Sequence, residues 1–182
     1  FAARMETVKL HDKTFRSNIP YAEIEQSVKL LAEKIDADYK GKRPLFLAVL
    51  NGSFMFAADL LKNVNVECEI SFIKVASYHG VSSAGSVSEL IGLTENLNGR
   101  DVIIVEDIVD SGITLEKVVQ LLNEKKPASI KVAALLLKPE AYKKSIPVDY
   151  VAFKIPNDFI VGYGLDYDGL GRNLKNIYKI EN

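Results

Sequence analysis

Three strand-like runs, Leu45 to Leu50, Val102 to Val105 and Ile130 to Leu137, are apolar without alternation, the third interrupted only by Lys131. A strand that reads this way is buried on both faces, as in a parallel sheet covered by helices on each side. The first run breaks at Asn51-Gly52-Ser53 and gives way to a helical pattern over Phe54 to Lys62. The second is followed by an acidic turn and then by Leu115, Val118, Val119 and Leu122 at helical spacing; the third is stopped by Lys138-Pro139. Upstream, Ile24, Val28, Leu31 and Ile35 form the stripe of a helix over Pro20 to Lys40, with Pro20 suited to its first turn and Gly41 to its end. Val66 to Val75 reads as another strand, and shorter pieces lie near Tyr150 to Phe153, Phe159 to Val161 and Ile177 to Ile180. Strands alternating with helices predict one α/β domain over residues 1–182, its central sheet mainly parallel and flanked by helices. No repeat and no Pro-, Gly- or Ser-rich linker divides it.

Composition narrows the partners. The formal net charge is −1 although 26% of residues are charged, so the chain carries no electrostatic footprint for nucleic acid or an anionic membrane. No apolar run approaches the roughly 20 residues of a membrane span, and the start shows no basic-then-apolar leader. The lone Cys68 lies in an apolar alternating segment and reads as a core thiol. A cytoplasmic protein is expected, with Met5 its natural start and Phe1 to Arg4 an addition ahead of it.

Chemistry is expected where polar clusters follow strand ends, because ligands of such sheets bind beyond the carboxyl ends of the strands. In Asp110 to Thr114, Gly112 permits a tight turn, Ser111 and Thr114 offer hydroxyls, and a helix begins with free N–H groups. That is the make-up of a phosphate cradle, though a plain helix cap reads the same way. Just before it, Glu106, Asp107 and Asp110 place three carboxylates within five positions. There is no Walker-type Gly-Lys-Ser/Thr. Carboxylates repel bare phosphate, so beside a cradle they suit hydroxyl groups or a metal ion on the same ligand. A phosphate together with a vicinal diol describes a sugar phosphate; a solvated acidic turn is the plainer alternative.

VIIVEDIVDSGITL, Val102 to Leu115, resembles the phosphoribosyl diphosphate signature of type I phosphoribosyltransferases, and among them the hypoxanthine-guanine enzymes most. The resemblance takes in Leu50 to Ser53, Ser77-Tyr78, Lys138-Pro139 and Phe159 to Arg172, and so covers nearly the whole chain. It implies the type I phosphoribosyltransferase fold, with a small hood and a flexible loop. It also implies Mg²⁺ as cofactor, phosphoribosyl diphosphate and a 6-oxopurine as substrates, and a homodimer or homotetramer.

The resemblance also implies roles. Glu106 and Asp107 would hold the ribose hydroxyls on the metal side, and Asp110, Ser111, Gly112, Ile113 and Thr114 would cradle the 5-phosphate. Asp110 would exchange a proton with N7 of the purine. Lys138 would donate to the 6-oxo group, although alone it reads as a side chain whose stem packs while its ammonium reaches water. Phe159, which alone reads as core, would stack on the base, with the backbone of Ile160 at its edge. Asp166 would lie on the purine side as a magnesium ligand, alongside Glu106 and Asp107, and Arg172 would bind diphosphate. Leu50, Asn51, Gly52 and Ser53 would form the diphosphate loop. Many relatives carry lysine where this chain has Asn51, so this loop is expected to rely on backbone N–H groups, Ser53 and magnesium. The Gly/Ser-rich span from Ser77 to Ser88 would be a lid, with Ser77 and Tyr78 over the diphosphate. Two rival readings remain: a regulator that binds phosphoribosyl diphosphate without catalysis, and a transferase for another base such as xanthine or a pyrimidine.

Overall fold

The computed structural model describes residues 6–79 and 86–181. Its core is a six-stranded sheet in the order β5-β4-β3-β6-β7-β8. These strands are β3 (Leu45–Val49), β4 (Glu69–His79), β5 (Ser86–Ile91), β6 (Asp101–Val109), β7 (Ser129–Leu137) and β8 (Tyr150–Lys154). All neighbours are parallel except β4 and β5, which are antiparallel. Every residue of β3 is buried, as its unbroken apolar run requires for a strand with neighbours on both edges and cover on both faces.

Helices supply that cover. Helix α1 (Tyr21–Asp38) buries Ile24, Val28, Leu31 and Ile35, and Pro20 takes the N-cap with φ −72°. Helix α2 (Phe54–Asn63) joins α1 over one face, packing with Phe46, Ala48, Ile103 and Val105. On the other face α3 (Ile113–Asn123) sets Leu115, Val118 and Leu122 against Leu47, Ile104 and Val132. No helix among the described residues is long and apolar enough to cross a membrane.

A second sheet, β1-β2-β10-β9, forms a hood from the two ends of the described chain: β1 (Thr7–Leu10), β2 (Lys13–Ile19), β9 (Ile160–Val161) and β10 (Ile177–Ile180). Its pairs are antiparallel, and Phe15, Val161 and Tyr178 are buried between its strands. The first two strands carry no apolar run, and the sequence reading missed them. The pairing of β2 with distant β10, and of β1 with β2, makes them strands.

Two expectations change. Both ends of the Gly/Ser-rich span from Ser77 to Ser88, expected to be a lid, belong to the strand pair β4–β5, in which Ser77 pairs with Ser88 and Tyr78 with Val87. Backbone pairing overrides the polar composition there. The span 80–85, at the heart of the expected lid, lies outside the described residues, as do Phe1 to Arg4. The acidic cluster is also not a loop: β6 runs on through Glu106 and Asp107 to Val109, because β7 keeps pairing with it after β3 has ended at Val49.

Candidate active site

The sheet register brings the carboxyl ends of β3, β6 and β7 side by side, with Ala48 opposite Val105 and Val109 opposite Leu137. A cleft of about 350 Å³ opens there. Its walls come from the turn after β3 (Leu50, Asn51, Gly52), the end of β6 with the turn beyond (Glu106 to Gly112), Thr114 of α3, and Asp166 and Arg172 below the hood.

The turn after β3 is shaped by close approach. The Leu50-Asn51 peptide is cis. A Cβ on Gly52 would stand 1.8 Å from Oδ2 of Asp107, and one on Gly164 would stand 2.1 Å from the Gly52 carbonyl oxygen. Gly52 is therefore wedged between the Asp107 carboxylate and the Gly164 backbone. The Ser53 hydroxyl is fully buried and donates to the Val49 carbonyl at 2.7 Å, so it closes the turn and is not presented to the cleft. Backbone groups and Asn51 are what this turn offers a ligand.

Two carboxylates sit at the end of β6. Glu106 is buried, and its Oε1 finds no hydrogen-bond partner among the described residues. Burial, reinforced by neighbouring Asp107, raises its carboxyl well above the usual range. Asp107 is raised as well, by burial, although the Ile108 N–H at 2.8 Å and the Arg172 guanidinium oppose the rise. A buried acceptor left unpaired is costly unless a ligand pairs it.

Asp110 lies beyond the strand with its side chain 53% exposed, and its Oδ2 accepts from Lys138 Nζ at 3.1 Å. Lys138 is itself buried. The next turn starts α3 with Gly112 as N-cap at φ +89°, which has no side chain to cap the helix; the Ile113 N–H makes a long contact of 3.5 Å with Ser111 Oγ, and the N–H groups of Thr114 and Leu115 have no side-chain acceptor among the described residues. A Cβ on Gly112 would also come 2.5 Å from the Tyr142 ring, so this position needs glycine for both backbone and space. Open N–H groups at a helix start suit an anion.

Arg172 donates from Nη1 to the Gly164 carbonyl at 2.7 Å, and its Nη2 lies 3.0 Å from Oδ1 of Asp166. The other Asp166 oxygen accepts from the Gly169 N–H at 2.8 Å. Among the described residues no three His, Cys, Asp or Glu side chains converge to hold a metal ion. Glu106, Asp107 and Asp166 line one cleft without forming a cage. That donor set still fits Mg²⁺, a hard ion that binds one or two carboxylates, keeps several waters and takes the rest of its shell from substrate oxygens.

Phe159, Ile160, Ile113 and Lys138 do not line the cleft. Phe159 is 43% exposed at the hood edge, against Phe15 and edge-on to Tyr167 with centroids 5.7 Å apart. Ile160 is buried in β9, and Ile113 is 68% exposed on the first turn of α3. Lys138 reaches the cleft only through its bond to Asp110. Ser77 and Tyr78 are placed by the backbone of β4. The sequence reading missed Gly164, whose contact with Gly52 joins two distant loops; the Gly-Tyr-Gly spacing at 162–164 was the available signal.

The phosphoribosyl transferase domain family matches residues 20–168. The hypoxanthine-guanine phosphoribosyltransferase of Streptococcus pneumoniae R6 is 41% identical over 160 residues, which is 87% of this chain and 89% of that protein. The enzyme of the same name from Streptococcus agalactiae is 48% identical over 147 residues, 80% of this chain and 82% of that one. Among solved structures, a hypoxanthine-guanine phosphoribosyltransferase from Bacillus anthracis superposes with a TM-score of 0.83 at 38% identity, covering 91% of this chain and 98% of that chain. The hypoxanthine phosphoribosyltransferase of Trypanosoma cruzi gives 0.81 at 36% identity, over 91% and 95%.

Proposed function

This chain belongs to the phosphoribosyl transferase domain family, and from that premise we propose that it is a purine-salvage enzyme. It transfers the 5-phosphoribosyl group of phosphoribosyl diphosphate to N9 of hypoxanthine or guanine and releases diphosphate. The observation that carries this reading is that segments distant in sequence line one cleft, each suited to one part of that substrate. The α3 start takes the 5-phosphate, Glu106 and Asp107 take the ribose hydroxyls, and the Leu50 to Gly52 turn with Arg172 takes the diphosphate.

N9 attacks the anomeric carbon as the carbon–oxygen bond to diphosphate breaks, and that electron pair leaves with diphosphate. Asp110 accepts the proton the purine loses, at N7; its half-exposed carboxylate can reach an incoming base. Lys138, held beside it, donates to the 6-oxo oxygen and so selects oxopurines over adenine. Phe159, exposed at the hood edge, offers a face for the base. Arg172 binds diphosphate oxygens as a fork donor. Bound Mg²⁺, held through Glu106, Asp107 and Asp166 together with substrate oxygens, supplies charge neutralisation for the leaving diphosphate. The unpaired Glu106 oxygen supports that placement. We place the enzyme in the cytoplasm as a homodimer or homotetramer; light scattering that gave a 20.2 kDa particle would reject the oligomer.

The test is a panel of hypoxanthine, guanine, xanthine, adenine, orotate and uracil with phosphoribosyl diphosphate and Mg²⁺, the nucleotide followed by chromatography. Product from hypoxanthine or guanine is expected. Product from orotate or uracil alone would overturn the choice of base, and binding of phosphoribosyl diphosphate without product from any base would make the chain a sensor.

A further inference from the structure

The loop that carries Asp166 has an unusual anchor outside the cleft. Tyr163 lies between Gly162 and Gly164, and all three have positive φ, Tyr163 at +48°. A residue with a Cβ resists that conformation, so something must hold it there. The Tyr163 side chain is 2% exposed and points away from the cleft to α2, where its hydroxyl donates to Oδ2 of Asp59. The same carboxylate group takes the Tyr21 hydroxyl at 3.4 Å and lies 3.0 Å from Lys62 Nζ.

The two ends of this bond lead to opposite sides of the diphosphate region. Asp59 is on α2, whose first residue, Phe54, directly follows the Asn51-Gly52-Ser53 turn. Tyr163 is next to Gly164, whose backbone abuts Gly52 and whose carbonyl accepts from Arg172. Asp166 follows three positions after Tyr163. We infer that Asp59 and Tyr163 are positioning residues: their hydrogen bond fixes the distance between the Gly52 turn and the loop bearing Asp166 and Arg172. Neither touches substrate. This inference rests on the function proposed above for what those two loops bind.

Three variants test it: Tyr163→Phe, Asp59→Leu, and Asp59→Asn, which keeps an acceptor oxygen. For each, kcat and the KM of both substrates are measured well below its melting midpoint. The Kd for inorganic diphosphate with Mg²⁺ is measured by calorimetry. Tyr163→Phe and Asp59→Leu are expected to raise the KM of phosphoribosyl diphosphate and the diphosphate Kd by about tenfold. The KM for hypoxanthine stays unchanged, Asp59→Asn rescues, and the Tyr163→Phe/Asp59→Leu double variant is no worse than either single one. Variants that only melt earlier, with kinetic constants intact, overturn the inference, as does an equal rise in both KM values. A wild-type protein that makes no nucleotide would sink the proposed reaction instead, while diphosphate binding would still decide the bridge.

Discussion

Lys138 Nζ donates to Oδ2 of Asp110 at 3.1 Å, tying the end of β7 to the turn beyond β6. The ammonium side chain is 8% exposed and the carboxylate 53%. A buried cation needs a counter-charge, so without a base each group answers the other. Under the proposed function an incoming base joins this pair, its 6-oxo group facing the lysine and its N7 the aspartate. The pair thus links base choice to proton transfer.

Asp110→Asn is expected to lower kcat by about 10²–10⁴ while leaving phosphoribosyl diphosphate binding nearly intact. Lys138→Met keeps the apolar stem and removes the ammonium, so kcat/KM for hypoxanthine falls by about 10²-fold or more while stability changes by less than about 2 kcal/mol. Steady-state kinetics and chemical denaturation read both. An unchanged turnover in Asp110→Asn would remove its role as proton acceptor.

Gly52→Ala places a methyl 1.8 Å from the Asp107 carboxylate, so the turn or the Asp107 side chain must shift out of its place in the cleft. A loss of about 1–3 kcal/mol in stability is expected, with a drop of about 10²-fold in kcat/KM for phosphoribosyl diphosphate from the displaced turn. Full activity in Gly52→Ala would mean that the turn and Asp107 move apart readily.

Arg172→Lys keeps the charge but cannot reach both the Gly164 carbonyl and Asp166 in the same way. The expected result is a KM for phosphoribosyl diphosphate higher by about tenfold, from loss of one charge-assisted hydrogen bond. The KM for the base should not move. Equal behaviour of the two proteins would show that charge alone is used here.

Alkaline pH is expected to unfold the chain with its tyrosines. Burial, first of all, raises the phenols of Tyr39, Tyr150 and Tyr163 above their ordinary 10.0, and the carboxylates of Asp38 and Asp59 add to this at Tyr150 and Tyr163. In the unfolded chain these phenols ionise near pH 10, while in the folded protein they stay protonated. Stability is therefore complete below pH 10 and falls as pH rises, by about 1.4 kcal/mol per buried phenol for each pH unit. Phenolate absorbance should appear together with loss of helical circular dichroism. Ionisation of all the tyrosines well before unfolding would contradict it.

Local physics made much of this chain legible. The apolar runs within β3, β6 and β7, the stripe of α1 and the glycine-bearing turns at strand ends depend on near neighbours in sequence, and they point to a parallel sheet with chemistry at one end. The acidic cluster was visible for the same reason. Its setting was not, since only continued pairing with β7 keeps Glu106 and Asp107 on a strand. Strands β1, β2 and β5 have little apolar pattern and exist because a distant or folded-back partner pairs with them.

What the sequence alone determined is which residue types stand at each strand end, because periodicity and turn chemistry act over a few residues. What only the tertiary structure decided is which side chains meet. Lys138 and Asp110 are 28 positions apart and Tyr163 and Asp59 are 104 apart, and the Ser53 hydroxyl turns inward to Val49. Such partnerships depend on sheet register and on the packing of α2 beneath the hood loops. They leave no mark in the local pattern, because a lysine or tyrosine is spelled the same whether it faces water or a carboxylate from a distant segment.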